Sequence, residues 1–261
     1  MRQITWILQL IIAWTVIYPS PCLGQQAHSW MLEKIPADLE TEFALSSLPP
    51  HLREQATVYL LDPSKGYYMA RKGTNGFSAF VNRTEWERAQ FVQDTYGAIS
   101  YDSAGSIAYL PPFFDAAAMR ASGKYSASQI RDTMIQRVKD GKYKAASRPG
   151  ISYMLSPLLR TYDGEGKIFN QVMPHYMFYA PCVDDRDIGG GWVTGGHQPF
   201  VVNSGSILDK SHSIFNYIIL AAGETEKAKI IEDDNDLLSK LASYKPYLKI
   251  DAAHIEMQHH H

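Results

Sequence analysis

The order of strand-like and helix-like segments constrains the fold of this chain more than any other feature of its sequence. Segments rich in β-branched and aromatic residues fall into two runs, and a clear amphipathic helix, residues 126–141, separates them. The strand-like segments are residues 56–61, 66–71, 77–81, 151–155, 172–180, 200–203 and 215–222. Runs of strands around helices, without regular βαβ alternation, are typical of α+β proteins. We therefore predict a single α+β domain with a mostly antiparallel sheet and peripheral helices.

Two turn motifs separate the first three strand-like segments. Residues 62–66 combine proline with glycine, and residues 73–76 end in Asn75-Gly76, a pair that strongly favours a two-residue hairpin. These turns predict an N-terminal three-stranded antiparallel meander. Further along, residues 107–110 precede a proline pair, which predicts a short strand that ends at the prolines.

The N-terminus has the layout of a secretory signal peptide. Arg2 supplies a positive start, residues 4–18 are mainly apolar, and small residues lead up to Gly24. The apolar run is shorter than the ~20 residues that span a bilayer. We therefore predict a signal peptide at residues 1–24 and a secreted or periplasmic mature protein that begins at Gln25.

The remaining chain is predicted to form one globular domain, residues 25–230, followed by a charged helical extension and tail, residues 231–261. A net charge of −2 predicts no general attraction to nucleic acid or to an acidic membrane surface. No second long apolar segment follows the leader, so we expect no membrane contact after cleavage. Cys182 is the only cysteine after the leader, which excludes an intramolecular disulfide and favours a buried, inert thiol.

Several short segments between residues 48 and 230 are distinctive when taken together. They are LPPHLR (48–53), RKGTNGF (71–77), RPGISYMLSPLLR (148–160), PHYMFYAP (174–181), PFV (199–201) and YIIL (217–220). This set resembles a group of uncharacterised bacterial proteins that are known only as hypothetical proteins, and the resemblance covers most of the chain after the leader. It implies no activity and no catalytic residue.

The strand-like segment 172–180 carries a histidine among apolar residues. Met173, His175, Met177 and Tyr179 alternate along it and therefore share one face. An imidazole among apolar neighbours needs a hydrogen-bond partner. We therefore predict that His175 is buried and hydrogen-bonded. Two roles stay open for it, a ligand or general base at a pocket and a structural core histidine.

A glycine-rich segment after this strand surrounds Trp192 and leads to His197, with His212 further on. Such segments often cover ligands, and just as often they are plain connections. The spacing from His175 to the two later histidines matches no compact metal motif, although histidines that converge from separate strands do bind zinc in other proteins. We therefore assign no metal site, and the sequence indicates no particular cofactor.

Two functions from different classes remain open. In the first, the protein binds a small molecule in a tyrosine-lined pocket, and the predicted ligand-binding residues are Arg71, Asn75, Tyr153, Arg160, Tyr179 and Trp192. In the second, it is a secreted hydrolase of an extracellular substrate, in which His175 is the acid/base, Ser156 assists, and a metal is optional. The sequence contains no Gly-x-Ser-x-Gly motif or other recognisable catalytic signature, and this favours the binding function.

Overall fold

The computed structural model describes residues 32–89, 91, 95–163, 166–189, 198–203 and 213–250. Its helices are α1 (Ala37–Ser46), α2 (Pro50–Arg53), α3 (Ser103–Ala121), α4 (Ala127–Lys139), α5 (Glu224–Asp233) and α6 (Asn235–Tyr244), followed by a short 3-10 helix, Pro246–Leu248. Its strands are β1 (Thr57–Asp62), β2 (Gly66–Arg71), β3 (Ser78–Asn82), β4 (Tyr96–Tyr101), β5 (Ile151–Met154), β6 (Leu159–Tyr162), β7 (Ile168–Gln171), β8 (His175–Tyr179), β9 (Phe200–Asn203) and β10 (Asn216–Ala221). Among the helices described, none combines the length and the apolar composition needed to cross a membrane. The predicted signal peptide, Trp192, His197 and His212 lie outside the described residues.

The strands form one mostly antiparallel sheet, which confirms the predicted α+β class. The strand order is β2-β1-β3-β4-β5-β8-β10-β9, and a β6–β7 hairpin joins the sheet where β6 pairs with β4. Among the described pairings, that of β1 with β3 is parallel and the others are antiparallel.

The predicted N-terminal meander is wrong. β1 and β2 form the expected antiparallel hairpin, but β3 pairs with β1 on its other side and runs parallel to it. The segment between β2 and β3 therefore crosses the start of β1, where the N–H groups of Thr74 and Asn75 bind the carbonyl oxygen of Gln55 at 2.8 and 3.2 Å. Only Gly76 of the Asn75-Gly76 pair has a positive φ, +80°, so no two-residue hairpin turn forms. The crossing places β3 between β1 and β4, where its residue Phe80 is fully buried.

Helices cover both faces of this sheet. On one face, called the α1 face, Phe43 of α1 and Leu241 of α6 are completely buried in a cluster with residues of β1, β3 and β4. On the other, called the α3 face, Ile130 and Met134 of α4 are completely buried in a cluster that includes Tyr109 of α3. The two clusters place the sheet as the middle layer between two helical layers.

Part of the predicted C-terminal extension belongs to the first of these clusters. Leu237 and Leu241 of α6 and Leu248 of the 3-10 helix are buried there. The described residues after 230 therefore pack against the core of the sheet, and residues 251–261 lie outside the described part of the chain.

Helix α3 contains Pro111 and Pro112 within its span, so the predicted short strand at 107–110 is wrong. Asp102 caps the helix, because its Oδ1 accepts the N–H of Gly105 at 2.8 Å. Tyr109 and Leu110, just before the prolines, are buried against the sheet. Tertiary packing of this face outweighs the local tendency of proline to interrupt a helix.

Candidate functional site

A cavity of about 400 Å³ lies on the α3 face of the sheet. Its floor is built by side chains that project to the same face from neighbouring strands. The register places Met154 of β5 opposite His175 of β8, and Met177 of β8 opposite Ile219 of β10. Together with Ile99 of β4, these residues give the floor a mainly apolar character. The volume falls in the range of ordinary small-molecule sites.

A polar part of the cavity wall comes from two other segments of the chain. The segment between β3 and β4 contributes Glu85 and Glu87, and the β6–β7 hairpin contributes Thr161 and Gln171. The Thr161 hydroxyl donates to Oε1 of Glu85 at 3.1 Å. This bond ties the two parts of the wall together.

His175 lines the cavity between the floor and this wall. It is only 2% exposed, and its Nδ1 lies 2.7 Å from the carbonyl oxygen of Met173, as expected for a histidine on an apolar strand. Because a carbonyl only accepts hydrogen bonds, Nδ1 carries the proton and Nε2 is left as an acceptor. Burial lowers the pKa of His175 below its usual value, although the bond to Met173 opposes this shift. The ring is therefore neutral near pH 7 and offers an acceptor to the cavity.

The two glutamates of the wall have raised pKa values because both carboxyl groups are withdrawn from water. Burial raises the pKa of Glu85, and the hydrogen bond from Thr161 and the charge of Arg88 oppose this rise. Burial raises the pKa of Glu87 to about 7, and repulsion from Glu85 adds to the rise, while backbone N–H groups and Arg88 oppose it. Near neutral pH, Glu87 is therefore present in both protonation states.

The two arginines at the cavity are engaged with protein groups. The guanidinium of Arg88 lies 4.5 Å from the centre of the Tyr162 ring and donates to a backbone carbonyl oxygen. Arg160 pairs with Tyr96 in the sheet, so its side chain projects to the α1 face. Its guanidinium lies 4.7 Å from the centre of the Tyr247 ring and donates to the side-chain amide of Asn170.

The structure does not bring the predicted tyrosines into this cavity. Tyr153 pairs with Tyr176 and projects to the face opposite His175, where its ring contacts Phe77. Tyr179 shares a face with His175 but lies four residues further along β8, outside the cavity lining. There its hydroxyl donates to the Ile151 carbonyl oxygen at 2.8 Å.

Three further predicted residues hold the backbone in place elsewhere. Arg71 donates to the carbonyl oxygens of Arg53 and Ala56 at 2.7 to 3.1 Å, beside the crossing between β2 and β3. At the same crossing, Asn75 donates to one backbone carbonyl and accepts from the N–H of a neighbouring residue. Ser156 is buried outside the cavity lining, and its hydroxyl accepts the N–H of Leu158 at 3.4 Å. Of the predicted site residues that the structure describes, His175 and Arg160 border the cavity, but the guanidinium of Arg160 is directed to the α1 face.

The sequence does not indicate Glu85 and Glu87 as site residues. They lie in a segment between β3 and β4 that has neither helical nor strand periodicity, so no pattern assigns a direction to their side chains. One sequence pattern could have indicated them: the two glutamates flank Trp86. Because Trp86 is buried, it fixes the backbone between the two carboxylates.

The described residues also bear on the metal and cysteine predictions. Within the described ranges, no three histidine, cysteine, aspartate or glutamate side chains are placed to hold a metal ion. Cys182 is exposed rather than buried, so the predicted buried thiol is wrong. Its backbone has a positive φ of 62°, which places it in a turn after β8 and not in the continuation of the strand.

Comparisons of this chain with protein-family models, with curated proteins and with solved structures found no match. The resemblance to uncharacterised bacterial proteins therefore stays a prediction.

Proposed function

We propose that the protein is secreted and binds a small, mostly apolar molecule in the cavity on the α3 face. The observation that carries this proposal is the cavity itself, with a volume of about 400 Å³, an apolar floor and a polar wall. Small-molecule sites commonly combine an apolar lining with a few polar groups that orient the ligand.

The floor supports this function because it is built on the middle of the sheet. Met177 and Ile219 lie on adjacent strands in an antiparallel register, and both are nearly fully buried. A site on regular strands is held more rigidly than a site on loops, so little ordering is needed when the ligand binds.

Titration with the neutral fluorescent probe N-phenyl-1-naphthylamine tests the proposal. We expect saturable binding with a dissociation constant of about 10 µM or lower. Val202→Trp adds a large ring on the edge strand β9, at the cavity, and should weaken binding at least tenfold. Tyr68→Trp, at an exposed position of β2, is the matched control and should leave binding unchanged. Equal binding by both variants and the parent protein would show that the probe does not use the cavity.

The secretion part of the proposal rests on the signal-peptide layout of residues 1–24. Expression of the full chain in a host with a secretory pathway, followed by intact mass measurement of the exported protein, tests it. We expect a mature protein that begins at Gln25. Recovery of full-length protein from the cytoplasm alone would contradict it.

Hydrolysis is the second candidate function, and one observation favours it. Neutral His175 and Glu87, whose pKa is about 7, line the same cavity, and such pairs serve as proton acceptor and donor in other enzymes. Ser156 does not line the cavity, so the acid/base would act on water. Hydrolysis of p-nitrophenyl butyrate that His175→Gln abolishes, with the variant still folded, would favour this candidate; a parent rate equal to that of buffer would exclude it for esters.

A further inference from the structure

The charges that line the cavity are unequally available to a ligand, and this difference indicates the chemistry of the ligand. Both guanidinium groups are engaged: Arg88 with Tyr162 and a backbone carbonyl, and Arg160 with Tyr247 on the α1 face. A group that already stacks on a ring and donates to protein acceptors has fewer donors left for an anion.

The carboxylate groups of Glu85 and Glu87, in contrast, are not engaged in direct contacts with charged side chains of the described residues. Within the described residues, neither Glu85 nor Glu87 forms an ion pair. The side-chain donor to Glu85 is the uncharged Thr161 hydroxyl, and Glu87 has only backbone N–H groups. Two half-buried carboxylates two residues apart therefore line the cavity, and the charge of Arg88 acts on both without forming an ion pair among the described residues.

His175 adds a third acceptor, and it is independent of the glutamates. The residue is only 2% exposed to solvent, and its Nδ1 is hydrogen-bonded to the carbonyl oxygen of Met173. Its Nε2 has no hydrogen-bond partner among the described residues. The amides of Asn82 and Gln171 also line the cavity, but an amide both donates and accepts and does not select a charge.

We infer that the ligand of this cavity is an organic cation, with an ammonium or amidinium group carried on an apolar body. This inference rests on the proposed binding function and specifies its ligand class. The cation donates to Glu85, Glu87 and Nε2 of His175, and the apolar body lies on the floor formed by Met154, Met177 and their neighbours. Aromatic side chains at the cavity, including Phe113, are compatible with a cationic ligand.

Three probes that share one apolar body test this inference. Cyclohexylmethylamine, cyclohexylmethanol and cyclohexanecarboxylate compete in turn with N-phenyl-1-naphthylamine at pH 8, where most of Glu87 is ionised. We expect the amine to bind about tenfold more tightly than the alcohol, and the carboxylate to bind most weakly.

Substitution of the two carboxylates identifies the source of this preference. The double variant Glu85→Gln with Glu87→Gln keeps the side-chain shape and removes both charges. It should weaken amine binding about tenfold and change alcohol binding less than twofold. Glu54→Gln, at an exposed position outside the cavity, is the matched control and should change neither. Thermal unfolding of each variant verifies that it is folded.

The possible failures are distinguishable. If the alcohol or the carboxylate competes as well as the amine, or if the double variant retains the amine preference, the cation inference is wrong and the binding function stands. If the fluorescent probe binds but none of the three compounds displaces it, the inference is also wrong. If neither the fluorescent probe nor any of the three compounds binds the parent protein, both proposals are wrong.

Discussion

The two ends of strand β8 lie on the same face of one sheet and have opposite surroundings. At its start, His175 and Met177 face the cavity. At its end, Tyr179 lies in a closed aromatic cluster, with its ring centre 4.8 Å from that of Tyr109 in helix α3. The alternation of side chains selects the face of the sheet, but the element that covers the face decides whether a side chain enters a core or a cavity.

Glycines at the two ends reflect this difference in packing. A Cβ on Gly105, in the first turn of α3, would lie 1.9 Å from the hydroxyl oxygen of Tyr179. A Cβ on Gly97, at the cavity, would meet its nearest neighbours at 3.5 Å, the methyl groups of Leu159 and Met154. The closed end therefore has no room for a methyl group, whereas the cavity end accommodates one at ordinary contact distance.

The largest expected effect comes from adding that methyl group at the closed end. Gly105→Ala should lower the free energy of unfolding by about 3 kcal/mol, because Tyr179 is held by hydrogen bonds and cannot withdraw without breaking them. The higher helix propensity of alanine offsets only about 1 kcal/mol. Urea denaturation measures the difference.

Gly97→Ala is the matched change at the cavity end. It should alter the free energy of unfolding by less than about 0.5 kcal/mol, since neither a positive φ nor a close contact opposes the methyl group. Equal costs for the two variants would contradict the distinction between a closed and an open end.

A smaller effect is expected from the tyrosine hydroxyl itself. Tyr179→Phe removes the donor to Ile151, at 2.8 Å, and the contact to Asp102, at 3.1 Å. It should lower the free energy of unfolding by about 1–2 kcal/mol. Tyr68→Phe, at a position of β2 that is 40% exposed, is the control and should have almost no effect. A cost below that of Tyr68→Phe would mean that the hydroxyl does not stabilise the closed end.

The stability contributed by the cavity end is expected to depend on pH. The pKa of Glu87 rises from 4.5 in the unfolded chain to about 7 in the folded one, so the folded state binds more protons between these values. The stability from this group is complete below pH 4.5 and is lost as the pH rises through 7. The negative charge of Glu85 raises the pKa of Glu87, and the positive charge of Arg88 lowers it.

Stability measurements of variants between pH 5 and 8 check this assignment. As the pH rises from 5 to 8, the parent protein should lose roughly 2 kcal/mol of stability relative to Glu87→Gln, which has no carboxyl group to titrate at this position. The cost of Tyr179→Phe should stay constant, because burial raises the pKa of that tyrosine above its usual value of 10. A cost of Glu87→Gln that does not vary with pH would show that its carboxyl has an ordinary pKa.

The sequence predicts the regular elements of this fold better than their connections. Strand β8 and helix α4 follow clear periodicities, and the helix predicted at residues 126–141 is confirmed, with Ser126 and Gln129 forming a capping box at its start. The parallel pairing of β3 was not predictable, because Asn75-Gly76 favours a hairpin locally and only the burial of β3 beside β4 opposes it.

The candidate site is predictable only along β8. Alternation correctly places His175 in a buried position, but it gives no information on the elements that lie over the strand. Glu85 and Glu87 reach the cavity from a segment without periodicity. The closed end depends on helix α3, and the proline pair within this helix makes it difficult to predict from the sequence.

The prolines of α3 have a consequence for hydrogen exchange. Pro111 and Pro112 have no N–H, so the carbonyl groups of Ile107 and Ala108, four residues earlier, have no helical donor. Tyr109, just before this interruption, belongs to the closed cluster, and Phe113, just after it, lines the cavity. The turn that joins the two halves of α3 therefore has fewer helical hydrogen bonds than the rest of the helix. Because Ala104 and Ala116, on either side of the prolines, are buried, we expect the amide protons nearest the proline pair to exchange fastest within this helix.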